Sequence, residues 1–275
     1  MESAMCRLLG IYGQVDFWQE IVLGFRRQAE FGNIPPVEEM EPGHKDGWGM
    51  AKSGKDKTAM VPIIRRIGSA MESDRYRQVV TSMDEIPDIF LGHLRKASDD
   101  IPSTPANVHP FFHDGWAFIH NGTVYGAESL PRDASLIPTS DESDTEYLFH
   151  YLLTAIMTDP TNKRICETLA TAVSSLKADY TAVNSMLSNG HDLYVISRYK
   201  TWQDYYTLHC YSLPAGVIIS SEPIESNRLE LARWSRLANN SLLRIHGSPP
   251  IIDKIAIIKG DYGTGTQTDI AGCGH

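Results

Sequence analysis

The chain has 275 residues, enough for one large domain or two small ones around a substantial core. Hydrophobic residues make up 42% and charged residues 21%, and 34 acids against 25 bases leave a net charge of −9, which argues against a nucleic-acid-binding surface. No run of about eighteen apolar residues is available for a membrane span, and Met1 to Gly10 lacks the charged-then-apolar order of a secretory signal, so a cytoplasmic protein is expected.

Arg7 to Tyr12 is short, apolar and bounded by glycine, and predicts a first strand. Phe17 to Glu30 places Phe17, Ile21, Val22 and Phe25 on one helical face, interrupted by Gly24. A Pro- and Gly-rich loop follows from Gly32 to Lys45. Strands are expected at Trp48–Ala51, Ala59–Ile67, Ile89–Arg95 and Trp116–Ile119, with a helix at Ser73–Met83. Tyr147, Leu148, Tyr151, Leu152 and Ile156 form a helical stripe within Asp144–Met157, which Ser143 or Asp144 could cap. Two further helices are expected over Asn162 to Leu187. Strands then return at Asp192–Tyr199, Tyr205–Tyr211, Gly216–Ser220 and Lys254–Lys259. This order of strands, helices and strands predicts an α+β fold rather than an alternating parallel sheet, and no linker divides it.

The cysteines are Cys6, Cys166, Cys210 and Cys273. Their spacing suits neither a dense disulfide framework nor a zinc site, and reduced thiols are expected. Cys6 follows Met5 directly. A chain that began at Cys6 would carry a thiol and a free α-amine on one residue. Their reference pKa values are near 8.5 and 8, so the amine could serve as base for the thiol. The bland alternative is a small buried hydrophobe in a strand. Asn121-Gly122 closes a predicted strand. It can be a tight hairpin turn, or a side-chain amide and a backbone N–H converging on an oxyanion. Six histidines lie between His44 and His150, yet no HExxH or paired-cysteine spacing accompanies them, so no metal is expected.

Five segments occur in order: Met5-Cys6-Arg7-Leu8-Leu9-Gly10, His44-Lys45-Asp46-Gly47-Trp48-Gly49, His93-Leu94-Arg95-Lys96-Ala97-Ser98, Phe118-Ile119-His120-Asn121-Gly122-Thr123 and Ser143-Asp144-Thr145-Glu146. Together they resemble the class II glutamine amidotransferases, a branch of the N-terminal-nucleophile hydrolases, and in particular their stand-alone single-domain members. Asn107-Val108-His109-Pro110-Phe111 and Ser220-Ser221-Glu222-Pro223 also fit that pattern.

The resemblance implies a four-layer αββα sandwich of two antiparallel sheets, formed by a single domain over residues 6–275. It implies Cys6 as nucleophile, with Asn121 and Gly122 as oxyanion donors. Arg95, with Ser98, would bind the substrate α-carboxylate, and Asp144 the α-ammonium. His44, Asp46, Gly47, Trp48 and His109 would shape the pocket, Trp48 by packing in the core. The substrate would be glutamine or a γ-glutamyl amide, hydrolysed without a cofactor through a cysteine thioester. Ammonia would pass to a synthase subunit in trans or to solvent. A γ-glutamyl-conjugate hydrolase releasing an amine is one alternative, and a non-catalytic ligand-binding or regulatory subunit is another.

Residues 1–5 stand ahead of the nucleophile. Methionine removal needs a small second residue; Glu2 would block it after Met1, and Cys6 would permit it after Met5. Translation from Met5, or cleavage of a short leader, is therefore expected.

Overall fold

The computed structural model describes residues 5–36, 41–97, 103–139, 143–159, 164–258 and, for the backbone alone, 267–269. In chain order the first half comprises β1 (Met5–Gly13), α1 (Trp18–Phe25), α2 (Gln28–Phe31), β2 (Gly47–Ser53), β3 (Met60–Ile67), α3 (Asp74–Thr81), β4 (Ile89–Lys96), β5 (Phe111–His113), β6 (Trp116–Asn121) and β7 (Val124–Tyr125). The second half comprises α4 (Asp144–Thr158), α5 (Ile165–Ser174), β8 (Asp179–Tyr180), β9 (Asn184–Ser188), β10 (Leu193–Ser197), α6 (Gln203–Tyr206), β11 (His209–Leu213), β12 (Gly216–Ser220), β13 (Ser235–Arg236), β14 (Ser241–His246), β15 (Ile251–Ala256) and β16 (Gln267–Asp269).

The long strands form two seven-stranded sheets, ordered β13-β11-β12-β1-β4-β2-β3 and β16-β15-β14-β10-β9-β6-β5. Every neighbouring pair is antiparallel. Strand β1 is apolar on both faces because it lies in the middle of the molecule. Leu8 and Tyr12 point between the sheets, where they meet Ile119, Met186 and Val195. Leu9 and Ile11 point outward against Ile21, Val22 and Phe25 of α1 and Val80 of α3. On the far side, α4 and α5 lay Phe149, Leu152, Leu169 and Val173 against Phe118 and Leu187 of the second sheet. The layers are therefore helix, sheet, sheet, helix, the expected αββα sandwich.

Ser73 caps α3 by accepting from the Tyr76 N–H at 3.2 Å, and Ser143, rather than Asp144, caps α4. Of the two helices expected over Asn162 to Leu187, one is helical (α5). Asn184–Ser188 is instead strand β9, between β6 and β10. Met186 faces the inter-sheet core and Leu187 the α4/α5 side. A strand buried on both faces has adjacent apolar residues, and periodicity cannot separate that from a buried helix. Strand β14 escapes the sequence reading because Arg244 breaks its apolar run. Tyr205, expected in a strand, belongs to the short helix α6, and β11 begins at His209.

Candidate active site

The polar segments singled out in the sequence converge at one end of the inter-sheet space. Cys6 lies near the start of β1, opposite Arg95 of β4, which lies opposite Gly47 of β2. Cys6 and Arg95 share the inward face, and both are about 4% exposed. The backbone N–H and C=O of Leu8 both face Ser221, bonding its Oγ and N at 2.9 and 3.0 Å. Alternation along the strand turns the N–H and C=O of Cys6 to that same side. Strand β12 has ended there, at Ser220.

Asn121, the last residue of β6, fills part of the gap. Its Oδ1 accepts from the Cys6 N–H at 2.9 Å. Its Nδ2 is buried and makes no well-formed hydrogen bond, although the Asn121 side chain acts on the Tyr205 hydroxyl. An unpaired buried donor costs about 1–3 kcal/mol, so a group held this way is arranged for something that binds. Gly122 follows at φ 147°, and a Cβ there would come within 2.1 Å of the Ala182 carbonyl oxygen. Only glycine admits this turn beside Asn121.

Asp144 opens α4. Its Oδ2 accepts from the Val124 N–H at 2.7 Å, and its charge reaches both Cys6 and His120. The Arg95 guanidinium donates to Ser103 Oγ at 3.1 Å. Burial pushes the Cys6 thiol up to about 12; Arg95 and the Lys96 backbone oppose the rise, and Asp144 and Asp46 add to it. With Met5 joined to it, Cys6 presents an amide nitrogen and a protonated thiol at neutral pH.

The rings of His93 of β4 and His109 lie with centroids 4.0 Å apart, tilted at 41°. Burial and neighbouring cationic groups hold both imidazoles well below the usual range, and neither ring nitrogen of His93 has a partner. Gly49 lets this segment approach: a Cβ there would lie 2.1 Å from the His109 carbonyl oxygen. Gly47 sits against Val108 and Arg95. Asp46 closes the end of β4, with Oδ2 accepting from the Ala97 N–H at 2.8 Å and its own N–H donating to the Arg95 carbonyl at 3.0 Å.

Two expected pocket residues lie elsewhere. Trp48 faces outward beneath the helices, edge-on to Tyr76 at 5.0 Å, because it alternates with Gly47 along β2. His44 is buried on the outer side, against the Gln28 carbonyl and the Tyr205 hydroxyl. Ser98 and the segment 1–4 lie outside the described residues.

The sequence reading missed a second group around Cys6. Tyr205 donates its hydroxyl to the Cys6 carbonyl at 3.3 Å. The Arg7 guanidinium lies 4.3 Å over the Tyr205 ring and pairs with Glu222 at 2.6 Å. No local pattern marks Tyr205, whose neighbours in sequence are equally aromatic. Among the described residues no cluster of three or more His, Cys, Asp or Glu could hold a metal ion.

Residues 5–210 match the family model described as "Glutamine amidotransferases class-II". The match covers most of the chain and includes every expected site residue. The chain belongs to the class II glutamine amidotransferases. It is 30% identical over 205 residues to the uncharacterized protein MJ1515 of Methanocaldococcus jannaschii, a span covering 71% of this chain and 52% of the relative. The chain thus spans about half the length of the curated relative it matches. In fold it is similar to the glutamine phosphoribosylpyrophosphate amidotransferase of B. subtilis, with a TM-score of 0.62, 15% identity and coverage of 93% of this chain and 50% of that one. A glutamine aminotransferase class-II domain protein from Silicibacter pomeroyi gives a TM-score of 0.57 at 19% identity, covering 93% of this chain and all of that one. A predicted glutamine amidotransferase from Pseudomonas aeruginosa gives 0.51 at 15%, covering 89% and 96%. These neighbours share the class II amidotransferase fold built on two antiparallel sheets.

Proposed function

We propose that this protein hydrolyses the γ-amide of glutamine, or of a γ-glutamyl amide, with Cys6 as N-terminal nucleophile once residue 5 and everything before it are gone. The observation that carries this reading is the double placement of Asn121. Its Oδ1 holds the nitrogen that would become the α-amine, and its Nδ2 is left unpaired beside it.

Freed, the amine takes the thiol proton, and the sulfur attacks the γ-carbonyl carbon. The carbonyl electron pair moves to oxygen, where Asn121 Nδ2 and the Gly122 N–H receive it. Collapse of this intermediate breaks the C–N bond. The α-ammonium returns its proton to the departing ammonia or amine, leaving a γ-glutamyl thioester. Water then attacks with the amine again as base, and glutamate leaves as the thiol is restored. Arg95 would hold the substrate α-carboxylate through its planar fork, and Asp144 the α-ammonium.

Residues 6–275 would act as one amidohydrolase unit in the cytoplasm. The nitrogen released would go to a synthase subunit in trans or to solvent. Intact-mass measurement of natively expressed protein is expected to give a chain beginning at Cys6. Cys6→Ala is expected to lower glutamate release at least about 10⁴-fold. Activity that survives this change, or full activity in a chain retaining Met1, would overturn the mechanism. A processed protein left unlabelled at Cys6 by a glutamine-like diazoketone would instead favour a binding-only role.

A further inference from the structure

The backbone of Cys6 is held by side chains alone on its open side. Strand β12 stops at Ser220, and the Ser221 backbone satisfies Leu8 as the last rung. One residue pair further, Asn121 Oδ1 takes the Cys6 N–H and the Tyr205 hydroxyl takes the Cys6 C=O. Met5 at present adds a further anchor, pairing with Lys96 and packing against Tyr205, Tyr206 and Ala182. In a chain beginning at Cys6 that anchor is gone. The terminal residue is then joined only through the planar Cys6–Arg7 peptide, which Arg7 ties to Leu94 of β4 and the Tyr205 hydroxyl holds at its carbonyl.

Tyr205 is built to hold it. The ring is 4% exposed and lies under the Arg7 guanidinium. Arg7 is itself fully buried, and it donates to the Tyr205 and Asn33 carbonyls while pairing with Glu222. On its other side the hydroxyl meets His44 Nε2 at 3.4 Å. His44 Nδ1 faces the Gln28 carbonyl at 3.1 Å. A carbonyl only accepts, so Nδ1 carries the ring proton and the neutral ring offers Nε2 as an acceptor. The single hydroxyl proton of Tyr205 is thus shared between two acceptors, the Cys6 carbonyl and His44 Nε2. The Tyr205 hydroxyl reaches the Cys6 backbone and the Asn121 side chain, while its ring is fixed under Arg7.

We propose that Tyr205, held under Arg7, is a positioning residue that fixes the carbonyl of the terminal Cys6 and so the axis from which its amine and sulfur project. This rests on the reading of Cys6 as an N-terminal nucleophile. Fixing matters because a misplacement of about 1 Å can cost on the order of 10²-fold in rate.

The test is Tyr205→Phe in processed protein, which keeps the ring under Arg7 and removes only the hydroxyl. The expected result is a fall in kcat of about 10- to 100-fold, with KM for glutamine within about twofold because Arg95 and Asp144 are untouched. Labelling of Cys6 by the glutamine-like diazoketone should slow in parallel, while alkylation by iodoacetamide at high pH, where hydroxide rather than the amine removes the thiol proton, changes by less than about threefold. An unchanged kcat overturns the proposal. So does a parallel loss of both labelling rates with a lowered unfolding midpoint, which would mark a merely structural role. If Tyr205→Phe unfolds, His44→Leu takes its place. His44→Leu removes the rival acceptor and leaves the hydroxyl proton to the Cys6 carbonyl, so kcat should hold or rise by up to about threefold with KM unchanged, and a fall of about tenfold or more in the folded variant overturns the proposal. Parent protein that releases no glutamate from glutamine or any γ-glutamyl amide would defeat the underlying reading instead, and that outcome is visible before any variant is made.

Discussion

The space between the two sheets has two unlike regions. Along most of β1 it is filled by Leu8, Ile119, Met186, Leu193 and Val195, all buried and apolar. At the Cys6 end the same pair of sheets encloses Cys6, Arg95, His93, His109 and Asn121, also buried but polar. In the first region each surface is completed by another apolar surface. The second leaves Asn121 Nδ2 and both His93 nitrogens without well-formed hydrogen bonds. Depth of burial is therefore no guide to role in this fold. The apolar region packs the sheets together, and the polar region leaves buried donors unpaired at a cost in stability.

The largest separation between the two should appear at Asn121. Asn121→Ala is expected to lower kcat for glutamate release by about 10²- to 10³-fold. The substitution removes an already unpaired donor along with one hydrogen bond to Cys6, so its cost in stability should be only about 1 kcal/mol. For a chain of this size that is a shift of roughly 2–4 °C in the unfolding midpoint. A loss of many degrees, with activity falling in proportion, would show Asn121 to be a structural residue like its apolar neighbours.

The reverse pattern is expected in the apolar region. Leu193 is fully buried on β10 and lies close to Gly10 of β1. Leu193→Ala should cost about 2–5 kcal/mol through lost burial and the cavity left behind. Denaturant unfolding measures this directly, and the kcat of the remaining folded protein should stay within about threefold. A variant that unfolds no earlier, or that loses turnover while staying folded, would erase the distinction between the regions.

The same contrast decides what could be read before the fold was known. The polar end was legible because chemistry constrains residue type. Cys6, Arg95, Asn121, Gly122 and Asp144 are each a residue type that the proposed chemistry requires, and all five lie in short segments of fixed order. Strands β1, β4 and β12 were legible although buried on both faces, because their apolar residues run together. Strands β9 and β14 were not: β9 sets Met186 and Leu187 among Asn and Ser, and β14 breaks its apolar residues with Arg244. Trp48 packs in the core as expected, but against the outer wall, because the side of the sheet depends on register and one residue along β2 separates the Gly47 face from the Tyr76 face. Tyr205 was invisible because its contact with Cys6 spans 199 residues and uses a backbone carbonyl, which leaves no mark on composition.

Acid should separate the regions by a smaller amount per group. Burial holds His44, His93 and His109 well below the usual imidazole range. In the unfolded chain they titrate near about 6.5. Below that pH the unfolded state takes up protons that the folded state refuses, so stability present above about 6.5 is lost as pH falls. Each imidazole that stays neutral contributes a slope of about 1.4 kcal/mol per pH unit in that range. Unfolding free energies measured from pH 7 down to pH 5 should therefore decline, and His93→Leu should flatten the decline by one proton. Leu193→Ala, by contrast, should lower the whole curve without changing its slope, because no titrating group lies in the surface it disturbs. Equal slopes for His93→Leu and the parent protein would mean that His93 takes up its proton in the folded state, and the polar region would then be open to water rather than dry.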